Sequence, residues 1–388
     1  MLSSYNDHKP KNNLTKNKQT TMKVNYCIKL VVAVAMISMG FGCQKNQDLN
    51  TSAQTPSSAK LVTDAVCSAK GWASQNGGTT GGGEATPTVV TNYADLKAAI
   101  LNASVKVIQV NGTITIPAGG RISFQDQTGK TIFGSPGAKL VSADQSKSNS
   151  GIINIKRCSN IIIRNLIFEG PGAYDTDGWD NAIIDSCTNV WVDHCEFRDG
   201  VDGNFDIKNV SDYITVSYCK FSYLKAPKPG GSGGSDDHRF SGLIGSGDNF
   251  TADRGHLRVT FVRCWWAEGC VARMPRVRFG KVHLVNNYFN STVSKSCVQA
   301  GFEANLLIES NVFENVKVPV DLMDKKSTAV QVKNNTFTNT SGNISGNGVT
   351  AFTPPYSITT LNSSSVKATV TASGGAGATL SGNSCTSI

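Results

Sequence analysis

Three aspartates of this 388-residue chain have the type and spacing to bind a metal ion. Asp206 follows Asp202 by four residues, a spacing that puts both on one face of an extended strand. Asp180 precedes Asp202 by 22 residues. Carboxylates that converge on one surface patch repel one another unless a cation lies between them, and oxygen ligands favour Ca²⁺ or Mg²⁺ over zinc or copper. The alternative is that aspartates simply suit turns.

Three arginines form the densest basic cluster, in the run Arg273-Met-Pro-Arg276-Val-Arg278. Pro275 argues against an ordinary central strand, and so many close arginines need an anionic partner or open water. Guanidinium groups match sugar carboxylates well. The histidines lie near no recognisable serine or cysteine nucleophile, whereas paired carboxylates leave glycoside hydrolysis open. Acidic residues accompanied by arginines suit metal-assisted removal of a proton better.

The net charge of +9 points only weakly to an anionic partner. Residues 1–42 hold six lysines against one aspartate, so the remainder of the chain carries about +4. Nucleic-acid binding usually requires a denser basic stripe, so we expect no nucleic-acid partner.

The elements that must position these residues repeat along the chain. Short β-rich segments each carry Asn or Cys two places before a large apolar residue. These marked positions are Asn165, Cys195, Cys219, Cys264, Asn287, Asn311 and Asn335. Most spacings lie near 24, and the gap of 45 contains the glycine-rich stretch 229–235. Such a period with strands of four to six residues predicts a stacked solenoid.

Side chains at the marked positions should form one column through the solenoid. Buried asparagines there can bond the amides of neighbouring rungs, and the three cysteines should fill the column as free thiols. Lys225 lies 23 residues after Asp202, about one rung further. Tyr93 to Leu101 is predicted to form a short capping helix, with Leu96 and Ile100 on its apolar side.

The N-terminal region indicates export. Residues 1–21 are polar and dispensable, 22–43 form a signal peptide, and 44–66 form a linker. The signal ends in a sequence similar to a bacterial lipobox at Cys43, so we expect either a cell-surface or outer-membrane lipoprotein or a freely secreted protein. Residues 67–388 form the main domain, and we expect its tail, 338–388, to be weakly strand-like and to pack along the outside.

The motifs together resemble the pectate lyase family over residues 70–340. They include Asp202-Gly-Asn-Phe-Asp206-Ile-Lys208, Leu243-Ile-Gly-Ser, the arginine run continued by Phe-Gly, and Val282-His-Leu-Val-Asn-Asn-Tyr-Phe. The resemblance implies an all-β fold, a right-handed single-stranded parallel β-helix. It also implies a calcium-dependent pectate lyase, which cleaves the acidic plant polysaccharide polygalacturonate by β-elimination. We expect a monomer.

The resemblance assigns roles to individual residues. Asp180, Asp202 and Asp206 would bind Ca²⁺, and Arg273 would be the catalytic base. The substrate would be bound by Lys225, Lys208, Arg276 and Arg278. The chain departs from the family pattern in two places. Gly178 stands where the family has a further Asp, which leaves Asp177 as a candidate ligand. The insertion 226–242 separates Lys225 from Leu243, so Lys228, His238 or Arg239 are alternatives for its role.

Two alternative functions share this fold. A pectin lyase would act on methyl-esterified substrate without calcium, and the three retained aspartates argue against it. A non-catalytic polysaccharide-binding solenoid would share the basic face but would not need Arg273. Fold alone does not separate them.

Overall fold

The computed structural model describes residues 68–323 and 328–381. The predicted upstream segment, signal peptide, linker and Cys43 lie outside the described residues. Within the described part of the chain, no helix is long and apolar enough to cross a membrane.

Short parallel strands form three sheets, which the chain visits in turn. The first sheet contains Thr88–Val90, Val107–Val110, Thr128–Gly134, Ser159–Arg164, Thr188–Asp193, Asp212–Ser217, Val259–Val262, Lys281–Val285, Asn305–Glu309 and Ala329–Lys333. The second contains Thr113–Ile116, Lys139–Ser142, Ile167–Glu169, Glu196–Arg198, Lys220–Ser222, Trp265–Trp266, Tyr288–Phe289, Val312–Glu314 and Thr336–Thr338. The third contains Ile122–Gln125, Ile153–Lys156, Ala182–Asp185, Phe205–Lys208, Leu243–Ile244, Arg276–Val277, Val298–Ala300 and Val320–Asp321.

Each turn of the chain therefore adds one strand to every sheet, which is the architecture of a parallel β-helix. No single turn can bury its own apolar face, so stacking of the turns creates the core. Along the second sheet, aromatic rings from successive turns stack with centroids 4.4 to 5.6 Å apart. These rings belong to Phe168, Phe197, Phe221, Trp266, Phe289, Phe313 and Phe337. Their separation follows the spacing of neighbouring strands, about 4.8 Å.

The asparagine column has the predicted hydrogen bonds. The amides of Cys264, Asn287 and Asn311 each donate to the side-chain oxygen of the asparagine one turn further on, at 2.8 Å. Cys195, Cys219 and Cys264 are buried free thiols, as predicted.

The predicted register was wrong at Asn165. Glu196 pairs with Ile167, so Leu166 is the neighbour of Cys195 in the column. Asn165 instead occupies the turn before it with φ of 50°, a left-handed conformation that asparagine tolerates. Its side-chain amide donates to the carbonyls of Gly134 and Leu380.

The predicted capping helix forms at Tyr93–Leu101, with Leu96 and Ile100 buried. Asn92 caps its first turn, and the fully buried Lys130 donates to three carbonyls at its end, those of Ala99, Ile100 and Asn102. Short 3₁₀ turns occur at Gly71–Ser74 and Thr251–Asp253.

The tail contains a helix where weak strands were expected. Ser363–Thr371 is helical, and Val366 and Val370 pack against Tyr288 and Val312 on the outside of the second sheet. Asn362 caps this helix. Valines four residues apart share one face of a helix, which explains why this segment buries an apolar stripe in helical form.

Candidate active site and metal centre

The three aspartates come from two successive turns of the third sheet. Asp206 lies within Phe205–Lys208 and pairs with Ile183 of the preceding strand. Asp180 lies two residues before that strand, whereas Asp202 lies in the bend before Phe205. The spacing argument that put Asp202 and Asp206 on one strand was therefore wrong. A bend still brings the Asp202 carboxylate to the same cluster.

Asp180 and Asp206 are almost completely buried, with 4% and 6% of their surface exposed. Burial raises the pKa of Asp180 well above its ordinary value, and the negative charges of Asp206 and Asp202 raise it further. Burial likewise raises the pKa of Asp206, although the positive charge of Lys208 and a hydrogen bond from the Leu243 amide oppose the shift. Burial and mutual repulsion therefore outweigh the positive charge of Lys208 at both carboxyl groups.

A glycine makes room for this arrangement. A Cβ atom at Gly203 would lie only 2.2 Å from an Asp180 carboxylate oxygen. Asp202 thus supplies one carboxylate, and the missing side chain of Gly203 leaves room for the carboxylate of Asp180. Oxygen donors that repel one another around a small space are the ligand set that a hard divalent cation such as Ca²⁺ prefers. The donor chemistry of the three aspartates suits a calcium ion, whereas the three ligand atoms that lie within 4.8 Å of one another in the described residues belong to Asp175, Asp202 and His238.

The arginine cluster lies two strands away in the same sheet. Asp206, Leu243 and Arg276 occupy equivalent positions on successive strands. The pKa of Arg276 is lowered by burial first and then by the charges of Arg278 and Arg273. These arginines therefore form one concentrated patch of positive charge beside the acidic cluster.

Arg273 is held in the turn before this strand. Its backbone has φ of 58°, its amide donates to the Gln299 side chain at 3.2 Å, and its carbonyl accepts from the Gly242 amide at 2.9 Å. Its guanidinium carbon lies 4.2 Å from the centre of the Phe240 ring. Arg278 is anchored differently, because its Nε donates to Asp248 at 2.7 Å.

The lysines predicted to bind substrate are not equally placed. Lys208 lies close enough to Asp180 and Asp206 to influence the pKa of both carboxyl groups. The Lys225 ammonium donates to the Gly170 carbonyl at 2.6 Å and lies 3.6 Å from Glu169, on the second-sheet side.

The alternatives for Lys225 also have partners. The Lys228 ammonium lies 4.2 Å from the centre of the Tyr174 ring. Arg239 forms two hydrogen bonds with Asp237, each of 2.7 Å.

Near the cluster, the insertion contributes His238, one of the alternatives to Lys225, and brings it to Asp175, which sequence reasoning did not identify. His238 lies between two carboxylates, with Nε2 at 2.9 Å from Asp202 and Nδ1 at 3.1 Å from Asp175. Asp177, the candidate extra ligand, instead pairs with Lys147 on the surface. Asp175 carries no motif signal, and only the fold of the insertion brings it to His238.

Gly178 leaves no space for the aspartate that the family has there. A Cβ atom at this position would lie 2.8 Å from the Ser150 hydroxyl oxygen and 3.0 Å from a Val201 methyl carbon. A larger residue would require both neighbours to move. The acidic cluster is therefore built differently on this side.

Comparison with known proteins decides the family. A sequence profile described as pectate lyase matches residues 50–379. The chain belongs to the pectate lyase family. Its membership identifies it as a polysaccharide lyase with pectate lyase activity, and confirms the expected right-handed parallel β-helix.

Relatives of known function and structure agree with this placement in the pectate lyase family. Pectate lyase E of Dickeya chrysanthemi is 33% identical over 367 residues, which cover 81% of this chain and 91% of the relative. A pectate trisaccharide-lyase of Bacillus licheniformis is 35% identical over 334 residues, 82% of this chain and 89% of the relative. A solved pectate lyase bound to a hexasaccharide superposes with a TM-score of 0.64 at 25% identity, covering 82% of this chain and 99% of that one.

Proposed function

We propose that this chain is a calcium-dependent lyase that cleaves polygalacturonate by β-elimination, with Arg273 as the base. The observation that carries the proposal is the pairing of a buried, mutually repelling carboxylate cluster with a patch of three arginines in one sheet. The cluster suits a divalent cation, and the patch suits an acidic polymer.

Asp180, Asp202 and Asp206 would hold the Ca²⁺, which when bound would supply Lewis-acid stabilisation of the negative charge that develops next to a uronate carboxylate. Arg273, acting in its unprotonated form, would take the proton at C5. The electrons of the C5–H bond would form the C4–C5 double bond, the bond between C4 and the glycosidic oxygen would break, and the departing oxygen would take a proton from solvent. The turn that fixes the Arg273 backbone on both sides, through Gln299 and Gly242, would hold the base in position.

Lys208, Arg276 and Arg278 would bind neighbouring substrate carboxylates. Arg278 is preorganised for this role because Asp248 already fixes its Nε. Lys225 remains a candidate only if its ammonium exchanges the Gly170 carbonyl for substrate. We further propose that the chain acts as a monomer and is exported by the segment 22–43, either as a lipoprotein attached to the membrane only through Cys43 or as a freely secreted protein.

The test is a lyase assay that follows the ultraviolet absorbance of the unsaturated product. Polygalacturonate should be cleaved, excess chelator should abolish cleavage, and added Ca²⁺ should restore it, with added Mg²⁺ as the control ion. Full activity in chelator would exclude the calcium assignment. Faster cleavage of fully methyl-esterified pectin would favour the pectin lyase alternative, and binding without cleavage would favour a non-catalytic solenoid.

A further inference from the structure

The insertion 226–242 is anchored beside the acidic cluster by its own backbone. The amide of Lys228 donates to the Ala173 carbonyl at 2.8 Å. Asp175 receives two more bonds, because the Gly233 amide donates to its carbonyl at 2.8 Å and the Ser235 amide to its carboxylate at 2.7 Å. The Asp175 carboxylate is therefore held in a fixed position by the same insertion that supplies His238.

His238 is buried between two carboxylates, with only 7% of its surface exposed. Among the described residues, neither ring nitrogen has a partner in hydrogen-bond geometry, although carboxylate oxygens lie 2.9 and 3.1 Å away. A neutral imidazole has one donor and one acceptor nitrogen, so two acceptor carboxylates cannot both be satisfied by it. A second proton on the ring, or a metal ion between the ring and one carboxylate, would satisfy both sides.

The geometry suits a metal on one side of the ring. Two ligands at right angles, each about 2.1 Å from a transition ion, are separated by about 3.0 Å. His238 Nε2 and the Asp202 oxygen are 2.9 Å apart. On the other side, an Asp175 oxygen lies 3.1 Å from Nδ1 but outside hydrogen-bond geometry, so a small rotation of the ring would let it accept the second N–H of a metal-bound histidine.

We propose that His238 Nε2 and Asp202 bind a transition metal ion, such as Co²⁺, Mn²⁺ or Zn²⁺, with Asp175 positioning the imidazole. Oxygen-only clusters favour calcium, whereas a nitrogen ligand raises the affinity for these ions. The inference goes beyond the lyase reaction and does not depend on it, since the metal is detected by binding rather than by turnover.

The competing explanation is an ion pair, in which a protonated His238 joins the two carboxylates and only fastens the insertion. The two explanations differ in their selectivity for metals. A nitrogen ligand matters for Co²⁺ and hardly at all for Ca²⁺, whereas a structural clamp would support every ligand of the cluster alike.

The experiment titrates the full chain, without a histidine tag and after chelator treatment, with Co²⁺ or Ca²⁺ separately. The visible absorption of Co²⁺ reports its ligands, and calorimetry gives both affinities. His238→Gln should weaken Co²⁺ binding at least about tenfold and change Ca²⁺ binding less than about twofold. Asp175→Asn should weaken Co²⁺ binding by about 10- to 100-fold. The control is His256→Gln, since this half-exposed histidine lies beside Asp212 and should affect neither ion.

Equal loss of both ions in His238→Gln would leave only the structural clamp, and unchanged Co²⁺ binding would overturn the proposal outright. Circular dichroism verifies that each variant folds. If His238→Gln does not fold, crystals of the unaltered chain with Co²⁺ decide the matter. An anomalous peak beside His238 Nε2 supports the site, and a peak elsewhere or none refutes it. Failure here leaves the calcium-dependent lyase assay unaffected, so the two proposals fail separately.

Discussion

Replacing Asp206 by asparagine should have opposite effects on stability in the absence and presence of calcium. After burial, the negative charge of Asp206 is the largest cause of the raised pKa of Asp180. Two charges about 4 Å apart at an effective dielectric of about 20 repel by about 4 kcal/mol, an upper bound because a shared proton relieves it. The calcium-free variant should therefore gain free energy of unfolding at neutral pH, on the order of 1 kcal/mol. Asparagine keeps an oxygen that can accept from the Leu243 amide.

With calcium the effect reverses. A ligand at 100 times its dissociation constant stabilises the fold by about 2.7 kcal/mol, or about 5 °C in Tm for a chain of this size. Asp206→Asn should lose most of this shift. The pKa values of these carboxyl groups are raised in the folded chain, which therefore binds more protons than the unfolded chain. The free energy of unfolding of the calcium-free chain should thus increase as the pH falls from 7 towards the ordinary aspartate range. The increase should be smaller in Asp206→Asn.

The assay is thermal unfolding in chelator and in a calcium series. Asp126→Asn serves as the control, because this exposed aspartate pairs only with surface groups such as Arg157. An undiminished calcium shift in Asp206→Asn would refute the assignment of Asp206 as a ligand. Loss of the cooperative transition in chelator would show that Asp206 is needed for the fold.

The other predictions concern catalysis, the core and pH. Arg273→Lys should lower kcat by at least about 10²–10⁴ with little change in KM, whereas Arg278→Ala should mainly raise KM; parallel losses in steady-state assays would contradict distinct roles. Asn311→Ala leaves two buried backbone groups of the preceding turn, the Asn287 amide and the Leu284 carbonyl, unpaired and should cost about 2–4 kcal/mol in denaturant unfolding, more than Asn335→Ala at the less buried end of the column. Burial lowers the pKa of Lys130 to about 8, below the ordinary 10.5, so the unfolded chain binds more protons between these values and stability should rise with pH there. Lys130→Met should abolish that rise.

The sequence predicted the solenoid well because its repeat is enforced by stacking. The column of Asn287 and Asn311 has to bond successive turns, so both residue type and spacing recur. The error at Asn165 arose because asparagine serves two purposes, a buried ladder and a left-handed turn, and these sites are adjacent in each coil. Helical structure in the tail was missed because its serines and threonines obscured the stripe of Val366 and Val370.

At the site, residues belonging to strong motifs were predicted, whereas the contact between His238 and Asp175 that a loop creates was not. Asp180, Asp206 and Arg273 are tied to the third sheet or its bends, so the repeat fixes their approximate positions. Asp175 and His238 meet across 63 residues of chain through an insertion with no repeat. Residue spacing does not predict this contact, because the path of a loop depends on its individual hydrogen bonds and not on a repeat.

Within the described residues the third sheet has eight strands, and the acidic and basic residues of the site lie on or next to its four central strands. Two strands lie beyond them on each side, ending at Ile122–Gln125 and Val320–Asp321. In a structure where each coil touches only its neighbours, opening begins at the ends and progresses inward. The two outer strands on each side can therefore open while the central strands, which position the reaction centre, stay paired. Coils can therefore be gained, lost or extended by insertions at either end of the β-helix during evolution. The spacing between the base and the metal ligands would stay unchanged.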